Sequence, residues 1–284
     1  YGPDTPLPTK HDLDAAFSSP VWLSRVDGHG GWANSAAIRA AEAFNGEPLP
    51  STDPYGGQIL RMPNGEPSGV FLDSAMDLIR PAIPPFSHEV KLRALREGVQ
   101  ELNKWGLTGV HDAGVPPENI QLYMESVDRG DFTLRNYVMV ESNACSTEDE
   151  RAEHFCASTY TPYWGDYGDH QLRIHSVKIH LDGALGSYGA VMLEPYSHLP
   201  EDFSGDPRGT YRLTPEVFTA AVEHWQQSGF QVNTHCIGDA CDRLCIDAYE
   251  RALNLIGSDG SAERHRIEHT QILSEPDIPR LAPL

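Results

Sequence analysis

The 284-residue chain carries 21 Lys and Arg against 41 Asp and Glu, a formal net charge of −20, which argues against nucleic acid or an anionic membrane surface as a partner. Hydrophobic residues make up 39% and charged residues 22%, the balance of a globular domain, and no apolar run approaches the ~20 residues that span a bilayer. Five cysteines, an odd number in a large chain, point to a reduced compartment rather than a disulfide framework, so a cytoplasmic location is expected.

Residues 20–26 read as a short strand and 27–32 as a turn, after which Asn34 and Ser35 cap a helix over about 36–44. From 45 to 85 the chain is rich in Gly and Pro, and the run Pro63, Asn64, Gly65, Glu66, Pro67 predicts a hairpin over about 55–72 inside an insertion placed to act as a lid. Then the rhythm becomes regular. Ser87 opens a helix with Val90, Leu92, Leu95, Val99 and Leu102 on one side, ending near Gly106. A strand at 107–111, a helix at 117–129, a strand at 133–140 and a helix at 147–158 follow. The next strand contains a lysine and runs into Asp182 and Gly183, and an irregular stretch covers 184–211. Thr214 and Pro215 begin a helix that Gly229 ends. A strand at 230–235, a helix at 238–255 and a strand at 265–272 complete the chain. Such alternation predicts an α/β fold with a parallel sheet. Five such strands with no Gly-x-Gly-x-x-Gly fingerprint favour part of a (β/α)8 TIM-type barrel, whose chemistry sits at the C-terminal strand ends.

On the lysine strand, alternation places Ile174, Ser176, Lys178 and His180 on one face, and Arg173, His175, Val177, Ile179 and Leu181 on the other. Lys178 is either a snorkelling residue or a buried amine whose lowered pKa leaves it neutral, able to act as a base, form a Schiff base or take up carbon dioxide as a carbamate. His235 and His269 stand on, or at the ends of, the next two strands. Brought to one mouth, a lysine carbamate and neutral imidazoles would suit a divalent ion such as zinc. His11, His88, His154, His170, His198 and His224 read as ordinary structural residues, while His111, His175 and His180 lie in or beside strands as supporting or core residues. Asp239 reads as a helix cap, and Cys236, Cys241 and Cys245 as buried small hydrophobes. His265, Glu268 and His269 also fit the His-x-x-Glu-His pattern of a zinc peptidase, which needs a helix. Ile267, Thr270 and Ile272 favour a strand instead, in which Glu268 would turn away from the histidines.

Five blocks in order carry a family resemblance: Arg25 to His29 with Asn34 and Ser35, Gly106 to Asp112, Val177 to Gly183, His235 to Asp239, and Arg264 to His269. Together they resemble amidohydrolase family 3, a branch of the metal-dependent amidohydrolase superfamily. The resemblance implies a (β/α)8 barrel beside a small β-sandwich. It also implies metal-dependent hydrolysis of amide- or formamide-like C–N bonds outside ordinary peptides, with a small amide-like molecule as substrate and a homodimer as a compatible assembly. It implies one or two divalent ions, zinc being expected, held by Lys178 as the carboxylated lysine of barrel strand four, His235 of strand five and His269 of strand six. His29 and Asp182, inside the matching blocks, are expected to contact substrate. The superfamily further uses a His-x-His pair on strand one and a general-base aspartate on strand eight, and this sequence has no His-x-His. The chain is therefore expected to be an internal piece, with 1–106 elaborating the connection between strands one and two and 107–284 supplying strands two to six. The alternative is a catalytically inactive relative serving as a binding or regulatory module.

Overall fold

The computed structural model describes residues 7–142, 165–199, 203, 205–282 and 284. The helix expected at 147–158, and His154 with it, lie outside these residues. Two sheets organise the chain. The first is antiparallel, in the order β1-β2-β4-β3, from β1 (Trp22–Ser24), β2 (Gly30–Ala33), β3 (Gly57–Arg61) and β4 (Pro67–Asp73). The expected hairpin is β3–β4, closed by Met62 N–H donating to the Glu66 carbonyl at 2.8 Å. The turn expected at 27–32 is shorter, because Gly30 to Trp32 pair with Val70 to Leu72. Gly31 is needed in that strand: a Cβ there would lie 2.0 Å from the Trp22 ring.

A short helix α1 (Lys10–Asp14) precedes this sheet, and α2 (Ser35–Asn45) packs on it; the Asn34 side chain caps α2 by accepting the Ala37 N–H at 2.9 Å. Ala37, Ile38 and Ala41 of α2 join Ile59, Phe71, Met76 and Ile79 in a small core. Two 3₁₀ turns, Ser74–Leu78 and Arg80–Ala82, close this unit.

The second sheet is the parallel one. Its strands run in the order β10-β9-β8-β6-β5, from β5 (Gly109–Val115), β6 (Arg135–Glu141), β8 (Leu172–His180), β9 (Gln231–Cys236) and β10 (Arg266–His269). A short β7 (Gly165–Tyr167) pairs antiparallel with β8. The sheet curls far enough that Arg266 of β10 reaches His111 of β5, at opposite ends of that order, with Nη1 and Nδ1 2.8 Å apart. Tyr137 of β6 likewise donates to Gln231 of β9 at 2.9 Å. These polar residues floor the concave side of a partial barrel.

The convex side carries the helices α3 (His88–Lys104), α4 (Pro117–Asp128), α5 (Pro215–Gln227) and α6 (Asp239–Ile256). Thr214 accepts the Val217 N–H and Pro215 opens α5 with its φ already suited to the helix. Phe218, Ala221, Val222 and Trp225 then bury against Val177, Ile179 and Val232, Phe218 and Val222 each contributing about 1.5–3 kcal/mol when fully covered. Cys236, Cys241 and Cys245 are buried free thiols in the same layer.

Ile174 departs from simple alternation: it lies in the helix-facing core with Val177 and Ile179. The register explains this, since Val138 faces Ile174 but Met139 faces Ser176, leaving His175 as an extra residue in a bulge that resets the faces. Lys178 and His180 keep the concave face.

Candidate functional site

The parallel register builds the site. Lys178 lies beside Asn233, and His180 beside His235, which in turn lies beside Glu268. Neighbouring positions in a parallel ladder share a face, so Lys178, His180, His235 and Glu268 all point into the concave side at the strand ends. His269 would by alternation point away, because it is paired with the core residue Cys236. It does not: His269 has φ 81 and Thr270 φ 42, two successive left-handed residues, and this backbone reversal brings the exposed His269 ring to 4.6 Å from that of His235. Glu268 therefore lies on the histidine side, contrary to its expected outward turn. Its Oε1 is 2.7 Å from Arg266 Nη2, and its charge acts on Lys178.

Lys178 is buried, and desolvation pushes its ammonium down, opposed by the carboxylates of Glu268 and Glu141. His235 is buried and desolvation drives it down to about 2, with the neighbouring histidines and Lys178 adding to the shift. His180, 5.6 Å from His235 between ring centres, is lowered by burial despite Glu141 Oε1 at 3.4 Å. Burial also lowers His269. The cluster thus presents neutral imidazoles with free lone pairs. His180 was expected to be only a supporting residue; its place two residues after Lys178 was the available signal.

Both residues expected to touch substrate are here, in different roles. His29 enters from the antiparallel sheet, its ring 4.9 Å from that of His235 and its Nδ1 2.7 Å from Asp73 Oδ1. Asp73 has φ 47 and ψ −124, a sparsely populated conformation for a residue with a Cβ. Its carboxylate fills space that a Cβ on Gly183 or Gly189 would invade, at 2.5 and 2.7 Å. Asp182, by contrast, has no exposure. Its carboxylate accepts the backbone N–H groups of Val191 at 3.0 Å, Ile237 at 3.1 Å and Gly238 at 3.0 Å. Burial raises it to about 6 against those bonds. Its Oδ1 is 3.4 Å from His235 Nε2, but with a neutral ring this is no ion pair. Asp182 is a clamp holding two loops under His235, and a substrate contact is not the role its geometry supports. Asp239 is not the cap of α6, a position Gly238 occupies; it accepts the Leu193 N–H at 2.8 Å.

His265 is removed from the site altogether. Its Nδ1 accepts the Val232 N–H at 3.1 Å, which puts its proton on Nε2, 2.8 Å from Gln226 Oε1. With the segment a strand and His265 occupied, the peptidase pattern has no structural basis.

A cavity of about 380 Å³ opens beside the cluster, lined among others by His29, Arg80, Glu141, His180 and Arg212. A larger hollow of about 500 Å³ lies along the α6 surface between Asp247 and Leu255, away from every strand-end group; the mouth cavity is the one that adjoins the chemistry. Among the described residues, no three His, Cys, Asp or Glu side chains converge closely enough to hold an ion unaided. The donors present, neutral imidazoles and a buried amine, have the chemistry for part of a metal shell.

YtcJ of Bacillus subtilis (strain 168) is 32% identical over 285 residues, covering 96% of this chain and 48% of that protein. The N-substituted formamide deformylase of Arthrobacter pascens is 26% identical over 293 residues, covering 98% and 49%. The chain spans about half the length of the curated relatives it matches. In fold it resembles the crystal structure of an uncharacterized metal-dependent hydrolase from Pyrococcus horikoshii OT3, with a TM-score of 0.66 at 19% identity over 97% of this chain and 49% of that one. The family model described as the amidohydrolase family matches residues 3–284, nearly every residue of the sequence, and the chain belongs to that family.

Proposed function

We propose that this chain supplies the strand-four to strand-six side of a metal-dependent hydrolase that cleaves amide- or formamide-like C–N bonds outside peptides. The observation that carries the reading is the meeting of Lys178, His180, His235 and His269 at the ends of three adjacent parallel strands, with His180 and His235 kept neutral by burial. Family membership and the resemblance to a metal-dependent hydrolase support it. Bound there, one or two divalent ions, zinc in this reading, would polarise the substrate carbonyl and lower the pKa of a water toward ~7.

The chain's own groups have separable tasks. His235 and His269 offer lone pairs, and Asp182 fixes the loops around His235. Lys178 is read as a carbamate. Glu268 and Glu141 disfavour a further negative charge beside them, so that carbamate depends on cations for balance. Asp73 fixes the His29 tautomer with the proton on Nδ1, leaving Nε2 to face the mouth. No residue here is assigned as general base; an aspartate ending a strand elsewhere in the whole protein is the expected one.

The test uses the full-length protein. Lys178→Ala should abolish chelator-sensitive amide hydrolysis and lower bound metal measured by atomic absorption, and added short-chain carboxylic acids should restore part of the rate by filling the space. Full metal content and rate in that variant would make Lys178 an ordinary structural lysine. The second reading, an inactive binding module, is favoured by the absence of three converging ligands among the described residues. A full-length protein that binds no divalent ion and cleaves no amide would establish it.

A further inference from the structure

We infer that Asp242 is kept as a neutral carboxylic acid beneath the strand-end cluster, and that loss of its proton loosens the joint between α6 and the loop that follows His235. This stands apart from the hydrolase reading, since it concerns the fold that holds the cluster, whatever the cluster does. Four acids gather where α6 begins, and three of them have partners. Asp182 accepts its three backbone N–H groups, Asp239 accepts the Leu193 N–H at 2.8 Å, and Asp277 meets Arg243 at 2.9 Å and Arg280 at 3.0 Å. Asp242 has no solvent exposure, and both of its carboxyl oxygens lack a hydrogen-bond partner among the described residues. A carboxylate buried in that way costs far more than a carboxylic acid, so the group keeps its proton.

The charges around Asp242 reinforce this. Those that act on it are Asp182 just beyond β8, Asp239 on its own helix and Asp277 on the 3₁₀ turn Glu275–Arg280, all acids, and burial holds the thiol of the adjoining Cys241 neutral. Arg243 and Arg280 are both turned to Asp277. Burial pushes the Asp242 carboxyl up to about 8, and the three acids add to the shift. The joint it sits in is tightly made. Asp242 N–H donates to the Gly238 carbonyl at 2.9 Å, Gly238 N–H donates to Asp182 at 3.0 Å, and Ala240 N–H donates to the Val191 carbonyl at 3.1 Å. A Cβ on Gly238 would lie 2.1 Å from that Val191 oxygen, so the two backbones meet directly. An ionised Asp242 reaches water only if this joint opens. Its folded pKa lies above the unfolded value of ~3.9. The stabilisation is therefore full below about pH 4 and is lost as pH rises toward 8.

The experiment unfolds the full-length protein in urea from pH 5 to pH 9, as wild type and as Asp242→Asn, which keeps the shape of the neutral acid. The ratio of the two unfolding constants, wild type over variant, should rise about tenfold per unit from pH 5 to pH 7 and level off above about 8. Hydrogen exchange of the peptide spanning 236–242, read by mass spectrometry, should match between the two proteins at pH 6 and run about fivefold faster in wild type at pH 9. A ratio that does not change with pH overturns the inference. So does a wild type that sodium or calcium chloride stabilises more than the variant, since Asp242 would then be an ionised ligand of a cation. Should Asp242→Asn fail to fold by circular dichroism, Asp242→Ser takes its place in the same titration. Infrared spectra of the wild type alone must in any case show a carboxylic-acid carbonyl band that disappears between pH 7 and pH 9, and its absence overturns the inference as well.

Discussion

The mouth has two walls, and they control charge differently. On the antiparallel wall the titratable groups that line the mouth each sit beside a charged partner: His29 beside Asp73, Asp27 beside Arg25, Asp77 beside Arg80. On the barrel wall, desolvation dominates. His235 and Lys178 are shifted chiefly by burial, and Asp182 is raised by burial although three backbone N–H groups hold it. A wall built on pairs is sensitive to loss of a partner. A wall built on burial is sensitive to anything that opens the loops or protonates what they cover.

The sharpest way to break the barrel wall, after loss of Lys178, is to remove its clamp. Asp182→Ala leaves three buried N–H groups without their acceptor and should cost about 3 kcal/mol of stability, read as a lower urea midpoint with unchanged slope. Asp182→Asn, which keeps an oxygen, should cost less; equal stability of all three proteins would mean that Asp182 clamps nothing.

Acid is the gentler lever on the same barrel, at the strand ends away from the mouth. His265 sits between β9 and β10 with burial lowering it to about 4, slightly opposed by Glu263. Its folded pKa lies below the unfolded value of ~6.5, so the unfolded chain binds the proton first and stability is lost as pH falls from about 6.5 toward 4. By pH 5 the loss should be about 2 kcal/mol. In His265→Gln, denaturant titrations at pH 7 and pH 5 should differ by about that much less. A variant with the same pH dependence as wild type would remove His265 from the account.

The antiparallel wall should answer to its partner alone. Asp73→Asn preserves shape but replaces the charged acceptor that orients His29, and kcat/KM of the full-length protein should fall about tenfold, the scale of one charge-assisted hydrogen bond. Asp73→Asn should cost nothing further in a His29→Ala background, since the carboxylate acts through the ring. Additive losses would separate them.

Much of this was readable from residue order because it depends on local chemistry. Turn residues mark the hairpin, Thr214 and Pro215 start α5, and alternation along β8 puts Lys178 and His180 together. His180 could have been grouped with the metal candidates on that signal. What residue order did not reveal is nonlocal or set by backbone sign. The bulge at His175 moves Ile174 into the helix-facing core, and two left-handed residues turn His269 inward while Glu268 stays on the same side. No periodicity encodes either, because a period-2 pattern assumes an unbroken strand.

The sequence by itself determined the family, the α/β alternation and the identity of Lys178, His235 and His269 as residues worth joining, since those follow from motif order and strand periodicity. Only the tertiary structure decided which of them meet, that Asp73 of a different sheet orients His29, and that Asp182 serves three backbone donors. It also left the buried Nε of Arg212 without a hydrogen-bond partner among the described residues. The physical reason is the same each time: burial and partner distance fix the state of a charged group, and both are properties of the packed chain rather than of any stretch of it.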